Sequence, residues 1–374
     1  MKLVVVHVIK GLGRGGAEML LVETLRVHKK EKYDFHFIYY YSSKGQLASE
    51  LEGLGGKVWN IPAQTSFGVL LSFLKTWRLI QYLNPHLIHA HMPVTGFLAR
   101  CIGKVTRIPV VYTEHYDIRK YHRVTTWLNK LNYSWNKVVI AVSDATATAI
   151  KSQFPSIKNL VTIPNGVNTA KFLRSTVSLD PDLKGKKAQN KVIIGTVAVF
   201  RRQKRLDLWV ELAVELLKAN PKFFFVIIGD GPENKIIRDQ VIDSGFKDSF
   251  LFTGLISDTR SYLATMDIFL MTSDLEGLPV ALLEAMSMGC LPVTPPVGGI
   301  QSLVKPNENG LFINPVEIAL SAKVILDVLD NEACFRSMQE SARETIVKNN
   351  SIDTMVEKLE RIYEKVALEN TGFR

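Results

Sequence analysis

The sequence predicts an α/β protein built from two doubly wound, Rossmann-like domains, each with a buried parallel sheet. Short runs rich in β-branched and aromatic residues alternate with amphipathic helical stretches, and this rhythm occurs twice along the chain. A polar segment without that rhythm, residues 173–190, separates the two series. The length of 374 residues also exceeds what one ordinary core accommodates, so two domains are expected.

The first domain is predicted over residues 1–172, with helical stretches such as 16–30 and 67–83. Its predicted strands are KLVVVHVI, DFHFIYYY, HLIHAH, PVVYTEH and KVVIAVS. The second domain is predicted over 191–350, with strands KVIIGTVAVF, KFFFVIIGD, SFLFTGL, DIFLMTS and LPVTP. Residues 351–374 are expected to form a C-terminal helix that packs back on the first domain. Because such sheets bind ligands at the carboxyl ends of their strands, we expect a site in a central cleft that the two domains face.

Charge and cysteine content narrow the class of partner. Residues 1–172 carry 22 Lys and Arg against 9 Asp and Glu, whereas residues 173–374 carry 24 against 27. This excess in the first half favours an anionic partner, namely lipid headgroups, phosphates or nucleic acid, although a basic domain without one is the alternative. Of these partners, nucleic acid is not expected. Three scattered cysteines support neither a disulfide framework nor a zinc cluster, and a reducing compartment is expected.

A glycine-rich stretch, GLGRGGAE at 11–18, follows the first strand and opens a helix. Glycines at that place let a phosphate approach the backbone and the helix N-terminus. A nicotinamide-binding domain should carry an acid after its second strand, but this chain has Ser42, Ser43 and Lys44 there. An NADP site and a purely structural turn both stay open.

The stretch DLEGLPVALLEA, residues 274–285, places Glu276 in a loop and Glu284 within an almost wholly apolar helix. Pro279 suits the first turn of this helix, and Gly289 suits its C-terminal cap. A carboxylate on a buried helix needs hydrogen-bond donors, and a ribose diol supplies two. The Gly277 and Leu278 amides suit a diphosphate, and Glu276 suits sugar hydroxyls. The alternatives are an internal cap or ion pair for Glu284 and an exposed loop acid for Glu276.

Two further strand ends supply candidate ligands. The stretch VFRRQKRLDL clusters four cations where the first strand of the second domain ends, and Arg and Lys pair well with phosphate oxygens. The stretch IGDGPE places Gly229 at the end of the next strand, where glycine permits close approach of a ligand. A solvated basic loop is the alternative for the cations Arg201, Arg202, Lys204 and Arg205.

Taken in order, RRQK, IGDGPE and EGLPVALLE resemble the retaining GT-B glycosyltransferases of family 4, whose E-x7-E signature matches Glu276 and Glu284. The N-terminal GGAE, HAHMP, YTEH, VSDAT and IPNGVN also fit, so the resemblance spans nearly the whole chain. It implies a nucleotide-sugar donor held mainly by the second domain. This chain has QKR where many members carry EKG, and the arginine of those members often lies further upstream, so Arg202 competes with Arg201 for the phosphate role.

The resemblance also implies roles for single residues. Glu284 would hold the ribose and Glu276 the transferred sugar, while Arg201 and Lys204 would neutralise the diphosphate. In the first domain, Gly15 and Gly16 would approach the phosphates and His115 would lie by the sugar; packed or exposed loop positions are the alternative for His115. The pair His89 and His91 suits the acceptor side, with a structural role equally open.

Retention of configuration follows from the resemblance, and no cofactor or metal is expected. The cations would stabilise the charge on the diphosphate, as a metal ion does in other enzymes. Asp180-Pro181-Asp182 matches the D-x-D metal pattern but is interpreted as a turn in the linker. Removing one such cation is expected to cost on the order of 10²-fold in rate.

The segment 116–137 mixes basic residues, including Arg119 and Lys120, with tyrosines and tryptophans. This mixture suits an anionic membrane surface, although packing against the sheet is the alternative. We therefore expect a glycosyltransferase using a UDP-sugar, peripheral on the inner face of the cytoplasmic membrane, with a glycan or lipid-linked acceptor in cell-surface polysaccharide, lipopolysaccharide or capsule synthesis. A sugar-nucleotide epimerase of the same architecture, a dehydrogenase and a non-enzymatic module binding anionic polymers are the alternatives.

Overall fold

The computed structural model describes residues 2–371 and divides into two compact units. Unit 1 comprises residues 1–166 and 352–374, and unit 2 comprises residues 167–351. Each unit has a parallel sheet flanked by helices, which is the α/β architecture that the alternating pattern predicts. Within the described residues, no helix is both long and apolar enough to cross a bilayer.

Unit 1 contains a seven-stranded sheet in the order β3-β2-β1-β4-β5-β6-β7. Its strands are β1 (Leu3–Ile9), β2 (Tyr33–Tyr39), β3 (Lys57–Asn60), β4 (Leu87–His91), β5 (Val110–Glu114), β6 (Val138–Ala141) and β7 (Leu160–Thr162). Its first seven helices are α1 (Gly16–Val27), α2 (Ala48–Gly53), α3 (Ser66–Leu71), α4 (Phe73–Leu83), α5 (Pro93–Thr106), α6 (Arg123–Asn132) and α7 (Asp144–Gln153).

Unit 2 contains a six-stranded sheet in the order β10-β9-β8-β11-β12-β13. Its strands are β8 (Val192–Val197), β9 (Phe223–Ile228), β10 (Phe250–Gly254), β11 (Ile268–Leu270), β12 (Leu291–Thr294) and β13 (Leu311–Phe312). Its helices are α8 (Pro181–Ala188), α9 (Leu206–Ala219), α10 (Asn234–Asp243), α11 (Arg260–Thr265), α12 (Val280–Ser287), α13 (Ile300–Leu303), α14 (Ile318–Leu329) and α15 (Glu332–Asn349).

The last helix, α16 (Ile352–Thr371), belongs to unit 1 although it follows unit 2 in the chain. It packs against α1 and β4. Its Glu360 accepts a hydrogen bond from the Lys29 amide and lies 3.1 Å from His28 Nδ1. Tyr363 is fully buried against the face of the sheet and reaches His89.

In both sheets the strands that follow the first one along the chain lie on one side of it, and the later strands lie on its other side. The strand order therefore reverses direction beside the first strand. In unit 1 the reversal lies between β1 and β4, and in unit 2 between β8 and β11. Loops leave the sheet on opposite sides at such a point, which opens a crevice at the carboxyl ends of the strands. Each unit thus positions its own candidate ligand-binding edge.

The structure differs from the sequence-based prediction at the segment 173–190. The chain joins unit 2 at Val167, and the predicted linker contains helix α8. The carboxylate of Asp180 accepts the Leu183 amide, and Pro181 occupies the first helical position. Asp180-Pro181-Asp182 is therefore a helix start and not a loop turn.

The structure also differs from the prediction in one helical stretch and in three short strands. The helical stretch 67–83 is two helices, because the chain breaks at Ser72, whose hydroxyl donates to the Val69 carbonyl at 2.6 Å. The strands β3, β7 and β13 were not predicted; they have four, three and two residues, too few to show a period.

Candidate functional site

In unit 2 the loops after β8 and β11 carry the predicted donor ligands and meet at the reversal point. The Thr272 hydroxyl, just after β11, donates to the Arg205 carbonyl at 2.8 Å. The Asp274 amide donates to the Gln203 carbonyl at 2.9 Å. These bonds join the two loops, so residues 201–205 and 272–276 form one edge. A small pocket at this edge is lined by Thr196, Ala198, Lys204, Met271 and Ser273 among others.

Within this edge, Lys204 and Glu276 form an ion pair. The Lys204 Nζ donates to Glu276 Oε1 at 2.6 Å, and both side chains are largely buried, 21% and 9% exposed. In a pair shielded from water to this extent the attraction is less screened than at the surface, and removal of either partner leaves an uncompensated charge. The structure thus brings together a cation and an acid that lie 72 positions apart in the sequence.

The other cations of this loop fall into two groups. Arg205 donates to both carboxylate oxygens of Asp207 and lies 3.4 Å from Asp274. The carboxylate of Asp207 raises the pKa of Arg205 further. Arg201 and Arg202 are exposed, and neither forms an ion pair within residues 2–371. Arg205 therefore holds the loop together, while Arg201 and Arg202 keep their guanidinium groups available.

Helix α12 carries Glu284, which is half-buried, as are Val280 and Ala281, while the rest of the helix is buried. Pro279 lies one position before the helix and accepts the Leu282 amide at 3.1 Å, so it caps the first turn and does not begin it. Gly289 has φ +77°, and its amide and that of Cys290 donate to Met286 and Ala285. That is a Schellman ending, for which glycine is favoured.

Two glycines let backbone segments approach each other closely at this edge. At Gly229, φ is +128° and a Cβ would lie 1.9 Å from the Ala198 carbonyl oxygen, so the protein's own backbone already requires glycine there. At Gly298, φ is +53° and a Cβ would lie 1.8 Å from the Glu276 carbonyl oxygen. Sequence reasoning missed Gly298, although the pair Gly298-Gly299 after a strand was a signal. The Gly299 amide donates to the Gly277 carbonyl at 2.6 Å, so this segment holds the Glu276 loop in place.

In unit 1 the glycine loop connects β1 to α1. Gly15 is the N-cap of α1 and Gly16 its first residue. A Cβ on Gly15 would lie 2.4 Å from Glu18 Oε2, so the Glu18 carboxylate folds back on the helix N-terminus. An acid is favourable at that end of a helix, and it occupies the place where a phosphate is expected.

Histidines form a connected row at the reversal point of unit 1. His115 Nε2 lies 3.1 Å from His91 Nδ1, and His91 Nε2 lies 3.0 Å from His7 Nδ1. Burial lowers the pKa of His115 to about 4 and that of His7 to about 3. The pKa of His91 is also lowered, mainly by burial. These imidazoles are therefore neutral at physiological pH.

The residues proposed for the acceptor side differ in their surroundings. His89 and His91 are almost fully buried; His89 lies 2.7 Å from both the Tyr363 hydroxyl and the Thr113 hydroxyl. Arg119 and Lys120 are exposed, and Arg119 donates to both oxygens of Asp117.

Glu114, which precedes His115, is a candidate that sequence reasoning missed. Its carboxylate is fully buried and accepts hydrogen bonds from the hydroxyls of Tyr112, at 3.2 Å, and Tyr121. Burial raises its pKa to about 7, although these hydrogen bonds favour the charged form. The acid inside YTEH was the available signal, and its tyrosine partners were not evident from spacing.

The fold and both units match known proteins. The model described as Glycosyltransferase Family 4 matches residues 14–171, and that described as Glycosyl transferases group 1 matches residues 182–345. The crystal structure of Anabaena HepE with UDP and glucose superposes with a TM-score of 0.82 at 19% identity, over 96% of this chain and 99% of that one. Sucrose-phosphate synthase from Thermosynechococcus elongatus gives 0.81 at 16% identity, over 98% and 99%. At these identities the likeness shows the GT-B fold alone.

Sequence relatives are glycosyltransferases. The Escherichia coli UDP-Gal:alpha-D-GlcNAc-diphosphoundecaprenol alpha-1,3-galactosyltransferase is 27% identical over 311 residues, 78% of each chain. The putative glycosyltransferase EpsF of Bacillus subtilis is 26% identical over 303 residues, 76% of this chain and 77% of that protein. One family description matches each unit, and the relatives by sequence and the similar solved structures agree with both descriptions. The chain therefore belongs to glycosyltransferase family 4 and is a glycosyltransferase of the GT-B fold.

Proposed function

We propose that this chain is a retaining glycosyltransferase that moves a hexosyl or N-acetylhexosaminyl group from a nucleotide-sugar, with a UDP-sugar favoured. The acceptor is a glycan or a lipid-linked saccharide of cell-surface polysaccharide, lipopolysaccharide or capsule synthesis. The name of the Escherichia coli relative specifies a UDP-sugar donor and a diphosphoundecaprenol acceptor, and the HepE crystals contain UDP and glucose. These names support the donor and acceptor classes.

The observation that carries the proposal is the Lys204–Glu276 pair, at 2.6 Å, on the edge formed by the loops after β8 and β11. A cation at that edge suits a diphosphate, and an acid beside it suits the hydroxyls of the sugar attached to that diphosphate. In the free chain the two groups neutralise each other. Donor binding then transfers Lys204 from the carboxylate to the phosphate, and Glu276 gains the sugar hydroxyls as partners.

The remaining donor contacts follow the family resemblance. Glu284 accepts from the ribose hydroxyls, and the Gly277 and Leu278 amides face the diphosphate. Arg201 is assigned to the phosphates with Arg202 as its competitor, and both are exposed. Gly229 is assigned to binding of the nucleotide. In unit 1 the proposal keeps for His115, Gly15 and Gly16 the roles that the resemblance implies.

The reaction breaks the bond between the anomeric carbon and the phosphate oxygen and forms one to an acceptor hydroxyl oxygen on the same face. The acceptor's proton passes to the departing phosphate oxygen, so an α-configured donor gives an α-product. Negative charge grows on the diphosphate, and the cations stabilise it more in the transition state than in the ground state. We therefore expect transfer to proceed without a divalent cation.

A panel of sugar nucleotides tests the donor assignment by thermal stabilisation and by slow hydrolysis of the donor. We expect UDP-sugars to stabilise the chain and to release UDP. Stabilisation by GDP-mannose and by no UDP-sugar would overturn the donor. A product formed from UDP-sugar alone, without UDP release, would indicate an epimerase.

Two acids with different roles sharpen the test. Glu284→Gln should weaken binding of UDP itself, because the ribose hydroxyls lose the charge of the carboxylate and one of its two acceptor oxygens. Glu276→Gln should leave UDP affinity within about threefold and impair transfer, because its partners are on the sugar. Equal loss of UDP affinity in both variants would contradict these roles.

We also propose that the chain contacts an anionic membrane peripherally at the cytoplasmic face. The distribution of polar and apolar side chains on helix α6 supports this contact. Its buried side is polar: Asn129 and Asn132 bond the guanidinium group of the fully buried Arg100. Its outer side is apolar: Val124, Trp127 and Leu131 are each more than half exposed. A helix that buries amides and exposes apolar residues is the reverse of an ordinary surface helix.

Basic side chains surround that apolar side. Arg119, Lys120 and Arg123 precede or begin α6, and Lys130 lies within it; all are exposed. Apolar residues with a basic rim fit the interface of an anionic bilayer, where each Lys or Arg near the surface contributes about 1 kcal/mol. This placement favours a membrane-bound acceptor.

Sedimentation with lipid vesicles tests the membrane contact. We expect binding to vesicles containing anionic phosphatidylglycerol and little binding to pure phosphatidylcholine. The double change Trp127→Ser and Leu131→Ser should abolish it. Leu255→Ser, at an exposed apolar position of unit 2, is the matched control. Equal binding by the double variant would overturn the assignment of α6.

A further inference from the structure

Three histidines lie on one face of the two central strands of unit 1. His7 on β1 pairs in register with His89 on β4, and His91 follows two residues later. Residues two apart on a strand point to the same face, as do paired residues on neighbouring parallel strands. The three side chains are 2–4% exposed. Phe35, Phe37 and Leu21 are among their apolar surroundings.

The ring nitrogens of these histidines converge. One nitrogen from each of His7, His89 and His91 lies within 4.8 Å of the other two. His7 Nδ1 and His91 Nε2 are 3.0 Å apart. Ligands at about 2.0–2.1 Å around a tetrahedral zinc ion lie roughly 3.3 Å from each other. The separation of these two nitrogens is therefore only about 0.3 Å shorter than that between two ligands of one zinc ion.

The outer nitrogens already have the partners that metal-binding histidines require. His91 Nδ1 lies 3.1 Å from His115 Nε2, and His89 lies 2.7 Å from two hydroxyls, those of Tyr363 and Thr113. A ligating imidazole normally hydrogen-bonds through its second nitrogen, which fixes the ring. When the metal binds, one ring nitrogen of His89 leaves its hydroxyl partner for the ion, and the other nitrogen keeps its hydroxyl partner.

The surroundings also suit a metal ion. The cluster forms part of the wall of a pocket that also includes Ala17, Asn165 and Met355, which gives an ion a route to the site. Three imidazoles with no carboxylate or thiolate among the ligands select zinc and its neighbours among the transition metals over magnesium or calcium.

We propose that His7, His89 and His91 form a binding site for one transition-metal ion of the zinc class, with water as the fourth ligand. The site is separate from the transfer chemistry, which needs no metal in the proposed function. Because His91 contacts His115, occupancy fixes the orientation of His115. The alternative arrangement is a chain of hydrogen-bonded imidazoles without a metal, and the experiment distinguishes the two.

The test uses the full chain after removal of metals with a chelator. We expect calorimetric titration with zinc to give one ion per chain, and cobalt(II) to give the visible absorption of a tetrahedral site. His7→Gln and His91→Gln should each lower zinc affinity by more than the 10- to 100-fold typical of changes to outer partners. His36→Gln, at a buried histidine of β2 outside the cluster, is the matched control and should bind zinc unchanged.

Zinc should also raise the melting temperature of the unaltered chain and of the control but not of the two cluster variants. If a cluster variant does not fold, X-ray absorption of the unaltered zinc complex decides the question, with three imidazole ligands expected. The proposal would be overturned by binding of less than one zinc ion per protein, by fewer than three imidazole ligands, or by equal zinc affinity in folded cluster variants. Each of these results would favour the row of hydrogen-bonded imidazoles without a metal.

Discussion

Replacing Glu114 by glutamine tests how the segment around His115 is held. The Glu114 carboxyl group is fully buried and accepts hydrogen bonds from Tyr112, Tyr121 and the Tyr116 amide. Glutamine keeps the shape and can bond the same hydroxyls, because a hydroxyl both donates and accepts. The change therefore removes the titration and little else.

The expected magnitude follows from the pKa. Burial raises the pKa of Glu114 from 4.5 to about 7 in the folded chain. Below pH 4.5 the carboxyl group is protonated in both the folded and unfolded states and contributes no difference. Between pH 4.5 and 7 only the unfolded state ionises, so the free energy of unfolding of the unaltered chain falls. The total fall is about 3 kcal/mol and is complete above pH 7.

Denaturant unfolding at several pH values between 4.5 and 8 measures this effect. We expect the free energy of unfolding of Glu114→Gln, minus that of the unaltered chain, to increase by about 2–3 kcal/mol from pH 5 to pH 8. Glu31→Gln, at an exposed position, controls for the change in net charge. A difference that stays constant with pH, or that decreases, would refute the reasoning.

Three further changes test the edge of unit 2 and its surroundings. Gly298→Ala should lower the free energy of unfolding by more than about 1 kcal/mol, because the new Cβ meets a backbone oxygen. Gly185→Ala, in α8 with open space around it, should raise the free energy of unfolding by about 0.5–1 kcal/mol. Equal effects of the two changes in urea unfolding would contradict the close approach at Gly298. Asp180→Ala should cost about 1 kcal/mol in the same assay because α8 loses its cap, and Asp180→Asn should restore most of it; no loss would mean that the cap is not made. Lys204→Met should lower kcat of transfer by about 10²-fold or more, with Lys204→Arg losing less; a full rate in Lys204→Met would remove Lys204 from the donor site.

The sequence was sufficient to locate the main strands along the chain, because a buried parallel strand appears as a continuous apolar run. Three of the four edge strands were missed: β3 is KVWN, β7 is LVT and β13 is LF, too short to be distinguished from loops. Helix α8 was missed because KGKKAQN is polar on all sides, and only Asp180 before Pro181 marked its start.

Residues of the candidate site could be selected from the sequence where several of them share one loop, and not where the fold joins distant segments. The acids of the E-x7-E pattern and the cations after β8 share short stretches, so spacing revealed them. The contact of Lys204 with Glu276 spans 72 positions, and that of His7 with His91 spans 84. Only the strand order brings such residues together, and no local period encodes it.

The most direct test of the account is a crystal structure of the chain with UDP or a UDP-sugar bound. The account predicts the ribose hydroxyls on the Glu284 carboxylate and the diphosphate beside Lys204 and the Gly277 and Leu278 amides. Lys204 should then have left Glu276 for the phosphate. Nucleotide bound elsewhere, with the Lys204–Glu276 pair still at its present 2.6 Å, would contradict the account.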